Sequence, residues 1–317
     1  MQTITTTGGT DLTATANDET IVRAWLEAMD ASDKTRETYR RSIRRWLAWL
    51  ESNGLAVLQA DRRAVLAYKR ELEATAKPAT VNAYLTAVRQ LHAWLEAEGI
   101  MPNVAATVKG CKRSQRSAKD ALTLDQAREI LADKPDAQDL EALRDFAMLS
   151  LMCRRGLRTV EVCRANIGDV RQVAGQAVLY VQGKGYADKG EFVVLNEAVL
   201  KPLYAYLEAR GERDPEAPLF AGIGNRNKGG RMTTRSVSRI VKATLAKHGI
   251  AAASLTAHSL RHTAVTLALI GGAPLQEVQA MARHRSINTT MIYAHNLRRM
   301  DAGAEHAVDR VLSAASV

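Results

Sequence analysis

His258 and Arg261 stand three residues apart in the segment HSLRHT, and Arg158 and Glu161 repeat that spacing in GLRTVEV. On a helix, residues at i and i+3 share a face. The first pair then presents an imidazole and a fixed guanidinium side by side, both able to donate to phosphate oxygens. In the second pair the carboxylate can hold or orient the guanidinium, or the two can form an ordinary surface ion pair worth little. Further on, RHRSINTTMIYAH sets His284 and Tyr293 nine residues apart, across what is expected to be a polar turn with Thr289 and Thr290. Lys184 lies between glycines in GKG, a tight turn from which a long cationic side chain can reach as an acid. Moving a DNA phosphodiester takes a nucleophile, cations that neutralise the transition state and an acid for the departing oxygen. Each residue type is present here, although a single tyrosine serves as readily in a core.

Two other chemistries find no support. His258 and His262 have the i, i+4 spacing of metal ligands, but the zinc-protease pattern needs Glu where Ser259 stands. His262 is therefore read as structural, and no metal is expected. Neither GKG nor the glycine-rich run near Gly229 fits a nucleotide P-loop, so no cofactor is expected either.

The charge balance points to a polyanion. The 317 residues carry 44 Lys and Arg against 34 Asp and Glu, a net charge of +10 and a pI near 9.6. Five basic residues and no acidic one fall between Lys109 and Lys119, among them Lys112, Arg113 and Arg116. Six more fall between Arg226 and Lys242, among them Arg231 and Arg235, again without an acid. Such one-sign stretches suit phosphate neutralisation with counterion release, so double-stranded DNA is the expected partner. Three cysteines, Cys111, Cys153 and Cys163, have neither the number nor the spacing of a disulfide framework or a metal site. No apolar run approaches the roughly 20 residues of a membrane span, and the N-terminus lacks the basic-then-apolar order of a signal peptide. A cytoplasmic protein without a membrane partner is expected.

The elements that must position these side chains divide into two groups. Residues 1–17 are small and polar and read as a flexible tail. From Asp18, apolar residues recur at helical period in four segments: Ile21–Met29, Tyr39–Leu50, Arg62–Ala76 and Val81–Leu95. They form a helical bundle over 18–108, and all four tryptophans (Trp25, Trp46, Trp49, Trp94) fall in it, as suits one shared core. The second helix carries Arg36, Arg40, Arg41 and Arg44 apart from its apolar face, a basic face that can lie along DNA. Residues 109–120 lack apolar period and read as a basic linker. A second, mainly helical domain over 121–317 is interrupted by a β-hairpin between Ala177 and Leu195, where Val178, Tyr180, Phe192 and Val194 alternate. Its last amphipathic helix ends in Val308, Val311 and Leu312.

Taken in order, these motifs resemble the tyrosine recombinases, the family of phage integrases and Xer-type enzymes. GLRTVEV resembles the first arginine motif, GKG the hairpin lysine, HSLRHT the His-x-x-Arg motif, and His284 with Tyr293 the closing histidine and nucleophile. The resemblance spans about Asp18 to Leu312 and implies a mainly α fold, with an N-terminal helical core-type DNA-binding domain ahead of a mainly helical catalytic domain with a small antiparallel β-hairpin or sheet. It implies that Arg158, His258, Arg261 and His284 bind the scissile phosphate with Glu161 in support, that Lys184 protonates the leaving 5′ oxygen, and that Tyr293 forms a 3′-phosphotyrosine. The bond energy is then kept without ATP or metal. It also implies a homotetramer on two DNA sites, with the last helix docking into a neighbouring subunit. A type IB topoisomerase-like nicking and closing enzyme, or a DNA-binding regulator without catalysis, are the alternatives. One departure stands out: the family usually has Leu-Gly before the closing histidine, and here it is Ala282-Arg283. The arginine is expected to shift that turn or to add a phosphate contact.

Overall fold

The computed structural model describes residues 4–5, 11–12, 17–112, 121–183, 188–250, 254–301, 308–309 and 311–313. The chain divides into two compact units, Met1–Arg116 and Ser117–Val317. The division falls inside the basic stretch at 109–120.

In the N-terminal unit, β1 (Ile4–Thr5) pairs antiparallel with β2 (Asp11–Leu12), regular structure that the composition of this stretch does not announce. Four helices follow: α1 (Asp18–Ala28), α2 (Asp33–Ser52), α3 (Arg62–Thr75) and α4 (Pro78–Ala97). Each start has a local cause. Asn17, Ser32 and Asp61 accept hydrogen bonds from the backbone N–H of Thr20, Thr35 and Ala64, and Pro78 opens α4, where its missing N–H costs nothing. The apolar faces meet around Trp46, whose ring stacks on Trp49 at 5.4 Å and tilts against Tyr68 at 4.9 Å. Trp25, Trp46 and Trp49 are buried, and Trp94 packs half-buried against the same core.

His92 on α4 is fully buried in this core, edge-on to Trp46, and neither ring nitrogen has a hydrogen-bond partner among the described residues. Burial pulls its pKa from 6.5 down to about 4. The unfolded chain therefore takes up this proton first, and stability falls as pH drops from about 6.5 towards about 4. The full loss is on the order of 3 kcal/mol. His92→Leu is expected to flatten this acid limb of the melting temperature between pH 6.5 and 4; an unchanged slope would place the acid sensitivity elsewhere.

The C-terminal unit is built on α6 (Leu140–Arg155), which follows α5 (Leu124–Ala132) and is buried on every side from Ala147 to Cys153. A helix apolar all round belongs at the centre of a core. Gly156 ends α6 in the left-handed conformation, φ 62°, as glycine does at low cost. The chain turns there into α7 (Thr159–Arg164). Three antiparallel strands follow, β3 (Val170–Val173), β4 (Gln176–Val181) and β5 (Glu191–Leu195), in the order β3-β4-β5. The hairpin expected from alternation is β4–β5, with Tyr180 opposite Phe192. The extra strand β3 joins β4 through Ala174-Gly175, both at positive φ, the geometry of a two-residue hairpin turn. Then come α8 (Glu197–Arg210), α9 (Thr234–Lys247), α10 (Ala257–Ile270), α11 (Leu275–Ala282) and α12 (Ile287–Asp301). The main core gathers Met148, Leu151, Leu157, Leu179, Tyr206, Val241 and Leu260 among others. A smaller apolar cluster, Val265, Val278 and Ala282, lies between α10, α11 and α12.

Candidate active site

Most of the candidate catalytic side chains line one cleft of about 1000 Å³ in the C-terminal unit: Arg158, His258, Arg261, His284 and Tyr293. They come from four elements. Arg158 is the residue that caps α7, so its extended backbone turns the side chain towards the cleft, where it keeps 26% exposure. Glu161 is fully buried beneath it and closes the capping box, accepting from the Arg158 backbone N–H at 2.7 Å and from Arg158 Nη1 at 2.6 Å. The pair is therefore no surface ion pair. It is anchored in the fold.

His258 and Arg261 share a face of α10. The helix begins at Thr256, whose backbone N–H donates to Ser259 Oγ at 3.0 Å, which accounts for serine at the position a zinc motif would give to glutamate. Arg261 is 2% exposed, with Nη1 donating to the Gly156 carbonyl at 2.6 Å and Nη2 to the Ala282 carbonyl. Burial, and then the neighbouring Arg158 and Arg283 cations, pull its pKa down to about 9, so it stays charged at neutral pH. Its guanidinium is held by two helix C-termini, where carbonyls gather partial negative charge.

The expected polar turn between His284 and Tyr293 is instead the start of a helix. α12 begins at Ile287, so Thr289 and Thr290 lie in its first turn and only His284 to Ser286 form the connection. Thr290 is buried, and its hydroxyl lies 2.9 Å from His284 Nδ1 and fixes the ring. Burial, together with Arg261, Arg158, Arg283 and His258, lowers the His284 pKa to about 4, so it is a neutral imidazole at physiological pH. Tyr293 rides on α12 against the small Val265, Val278 and Ala282 cluster. Burial raises its phenol pKa, and the Arg261 charge opposes that shift.

Two residues take parts that their types alone did not assign. His262, expected to be structural, is hydrogen-bonded through Nδ1 to the Tyr293 hydroxyl, and the two rings stack at 5.3 Å. Its only signal in the sequence is its place one turn from His258. Arg283 borders the same cleft but turns most of its side chain into the fold. It ends α11 at φ 51°, in the left-handed conformation, and is 8% exposed. Its Nη2 donates to Glu161 Oε2 at 2.6 Å and its Nε to Oε1 at 3.3 Å. Burial alone would raise the pKa of Glu161, but Arg283 and then Arg158 reverse this and leave it lowered.

The remaining candidates lie apart. Lys184 falls outside the described residues; Gly183 and Glu191, which flank that hairpin turn, line the same cleft. In the N-terminal unit, Arg36, Arg40 and Arg44 line a groove with Arg23, and Arg41 is exposed on α2. Arg36 is partly taken up by the Met29 carbonyl at 3.0 Å, and Arg40 by Glu37 at 2.5 Å. Lys112 is exposed, whereas Arg113 and Arg116 fall outside the described residues. Arg235 is exposed on α9. Arg231 is committed within the fold, donating to the carbonyls of Cys163 at 2.9 Å and Ala165 at 3.2 Å and to Asn166 Oδ1 at 2.7 Å.

Comparison with known proteins agrees with this architecture. The phage integrase family model matches residues 120–300, more than half of the chain, and the phage integrase N-terminal SAM-like domain matches 22–99. Tyrosine recombinase XerC of Corynebacterium efficiens is 32% identical over 265 residues, covering 83% of this chain and 81% of the relative. Tyrosine recombinase XerD of Rhizobium meliloti is 28% identical, covering 87% and 90%. Among solved structures, the XerH site-specific recombinase bound to palindromic difH substrate in a post-cleavage complex aligns with a TM-score of 0.72 at 20% identity, covering 95% of this chain and 84% of that one. A lambda integrase(75-356) dimer bound to a COC' core site aligns at 0.66 and 18% identity, covering 86% and 96%. Matched over most of its length, the chain belongs to the phage integrase family and is a site-specific tyrosine recombinase of the Xer type.

Proposed function

We propose that Tyr293 attacks a DNA phosphate held by Arg158, His258, Arg261 and His284. The observation that carries this reading is the gathering of all five side chains in one cleft, although they are spread over more than a hundred residues of chain. The Tyr293 oxygen forms a bond to phosphorus as the bond to the 5′ oxygen breaks, leaving a 3′-phosphotyrosine and a free 5′ hydroxyl. The phenol hydroxyl is hydrogen-bonded to His262 Nδ1, which accepts its proton when the ring is the Nε2–H tautomer. Lys184, which follows the cleft-lining Gly183 in the sequence, gives a proton to the leaving oxygen. Arg158 and Arg261 neutralise the charge that grows on the non-bridging oxygens, in positions fixed before the substrate arrives. Reversal with a second DNA end rejoins the strand, and no external energy source is needed. Incubating the protein with a nicked DNA that loses a short fragment on cleavage tests this: a DNA-linked peptide containing Tyr293 is expected, and linkage to another residue would move the nucleophile.

The substrate is double-stranded DNA, in keeping with the basic stretches of the chain and with the DNA-bound solved structures. The bundle over 18–108 serves as a core-type DNA-binding domain, with Arg41 and Arg44 on its basic face beside Arg36 and Arg40, and Arg235 adds a phosphate contact from the catalytic domain over 121–317. The protein acts in the cytoplasm, as a tetramer on two DNA sites; a lambda integrase tetramer bound to a Holliday junction has the same fold. The last helix docks in trans through Val308, Val311 and Leu312, which are 56–70% exposed here. Nicking and closing without synapsis is disfavoured, because the named relatives are recombinases.

Replacing Lys112, Arg113 and Arg116 together by Gln is expected to weaken DNA binding equally across unrelated sequences. It is also expected to flatten the plot of log affinity against log salt by about 2 to 3, since each phosphate contact contributes roughly 0.9. Anisotropy titrations at several salt concentrations measure this, and an unchanged slope would show that the linker does not neutralise phosphates.

A further inference from the structure

Arg283 occupies a position where a side chain is costly. Its φ of 51° belongs to the left-handed region, which glycine enters freely and other residues enter at roughly 1 kcal/mol or more. Arg283 is also buried, and a buried guanidinium requires partners for its charge and donors. The fold provides them. Nη2 and Nε engage both oxygens of Glu161, Nη2 also reaches the Gly156 carbonyl at 3.2 Å, and Nη1 donates to the Met281 carbonyl at 2.6 Å.

These partners are the ones that place the two phosphate-binding arginines. Glu161 is also the acceptor of Arg158, and Gly156 is also the acceptor of Arg261. The backbone carbonyl of Arg283 itself accepts from Arg158 Nη2 at 2.8 Å, and that of Ala282 accepts from Arg261 Nη2. Side chain and backbone at one turn therefore touch the anchors of both arginines. Without the Arg283 side chain, the fully buried Glu161 carboxylate would keep a single cation, Arg158. An uncompensated buried charge draws its remaining partner hard onto itself. The guanidinium of Arg158 would then be turned from the phosphate towards the acid.

We propose that Arg283 is a positioning residue of the phosphate site: it shares both oxygens of the buried Glu161 carboxylate with Arg158 and thereby leaves the Arg158 guanidinium disposed towards the scissile phosphate. Arg283 touches no reacting atom in this scheme and acts through Glu161. The inference rests on the site reading above, and the experiment separates the two.

Single-turnover cleavage of the nicked substrate is measured for the full-length wild type, Arg283→Gly, Arg283→Lys, Glu161→Gln and the double variants, with DNA affinity by anisotropy and folding by thermal melting. Arg283→Gly is expected to cleave about 30- to 100-fold more slowly while binding DNA within about threefold of wild type. Arg283→Lys, which keeps the charge but cannot fork across both oxygens, is expected to lie between. Adding Glu161→Gln to Arg283→Gly removes the acid that captures Arg158 and is expected to restore cleavage at least about tenfold over Arg283→Gly alone, a rescue that lost packing cannot give. If Arg283→Gly melts below the assay temperature, Arg283→Lys with and without Glu161→Gln supplies the same ratio. Wild-type cleavage by Arg283→Gly, or a double variant no faster than its parent, overturns the role of Arg283. A wild type that forms no DNA linkage at Tyr293 overturns the site reading instead.

Discussion

Tyr293→Phe is expected to abolish covalent capture of nicked DNA, with a loss of at least about 10⁴-fold, while DNA affinity stays within about twofold. The substitution removes one oxygen and leaves the ring, so its packing against Val265, Val278 and Ala282 is kept. The groups facing the phosphate are untouched, since the Arg158 and Arg261 cations and the His258 and His284 rings remain. The lost hydroxyl also frees His262 Nδ1 from its partner on α12. That can shift the melting temperature slightly but cannot supply a nucleophile. Gel-resolved protein–DNA adducts measure the outcome, and adduct persisting in the phenylalanine variant would show that another side chain attacks.

The second large effect concerns the leaving group. Lys184→Ala is expected to slow cleavage of an ordinary phosphodiester by about 10³-fold, within the range for loss of a general acid. With a 5′-phosphorothiolate the slowing should shrink to less than about tenfold, because a thiolate departs without a proton. A cation that only stabilised the transition state would slow both substrates alike. Comparison of the two rate ratios therefore separates acid from electrostatic partner, and equal ratios reject the acid. In support of the assignment, Gly183, two residues past β4, and Glu191 at the start of β5 both border the cleft.

The part of the site visible in the sequence was the part whose chemistry is carried by residue type and order. HSLRHT, GLRTVEV and the His284–Tyr293 spacing each hold a polar group at a local interval that a helix or cap converts directly into a direction. The helical bundle was visible for a related reason, because its apolar residues recur at the period of one helix face. β3 was not visible: of Val170, Arg171, Gln172 and Val173 only the first is even partly buried, so no alternation marks it. The helical start at Thr289 and Thr290 was hidden by two residues that favour turns locally, although burial of Thr290 under His284 gives one of them a tertiary reason to be helical. Arg283 departs from the family pattern in the sequence, but its direction depends on Glu161, 122 positions earlier in the chain. No local pattern encodes such a partner. The same holds for His262, whose partner Tyr293 arrives on a separate helix.

The nucleophile and the cradle are set into different parts of the fold. Arg158 and Arg261 are anchored on Glu161 of α7 and on carbonyls at the ends of α6 and α11, whereas Tyr293 is carried by α12, which packs on the small Val265, Val278 and Ala282 cluster of α10 and α11. Substitutions confined to α12 are therefore expected to change the delivery of the phenol while leaving the two arginines in place.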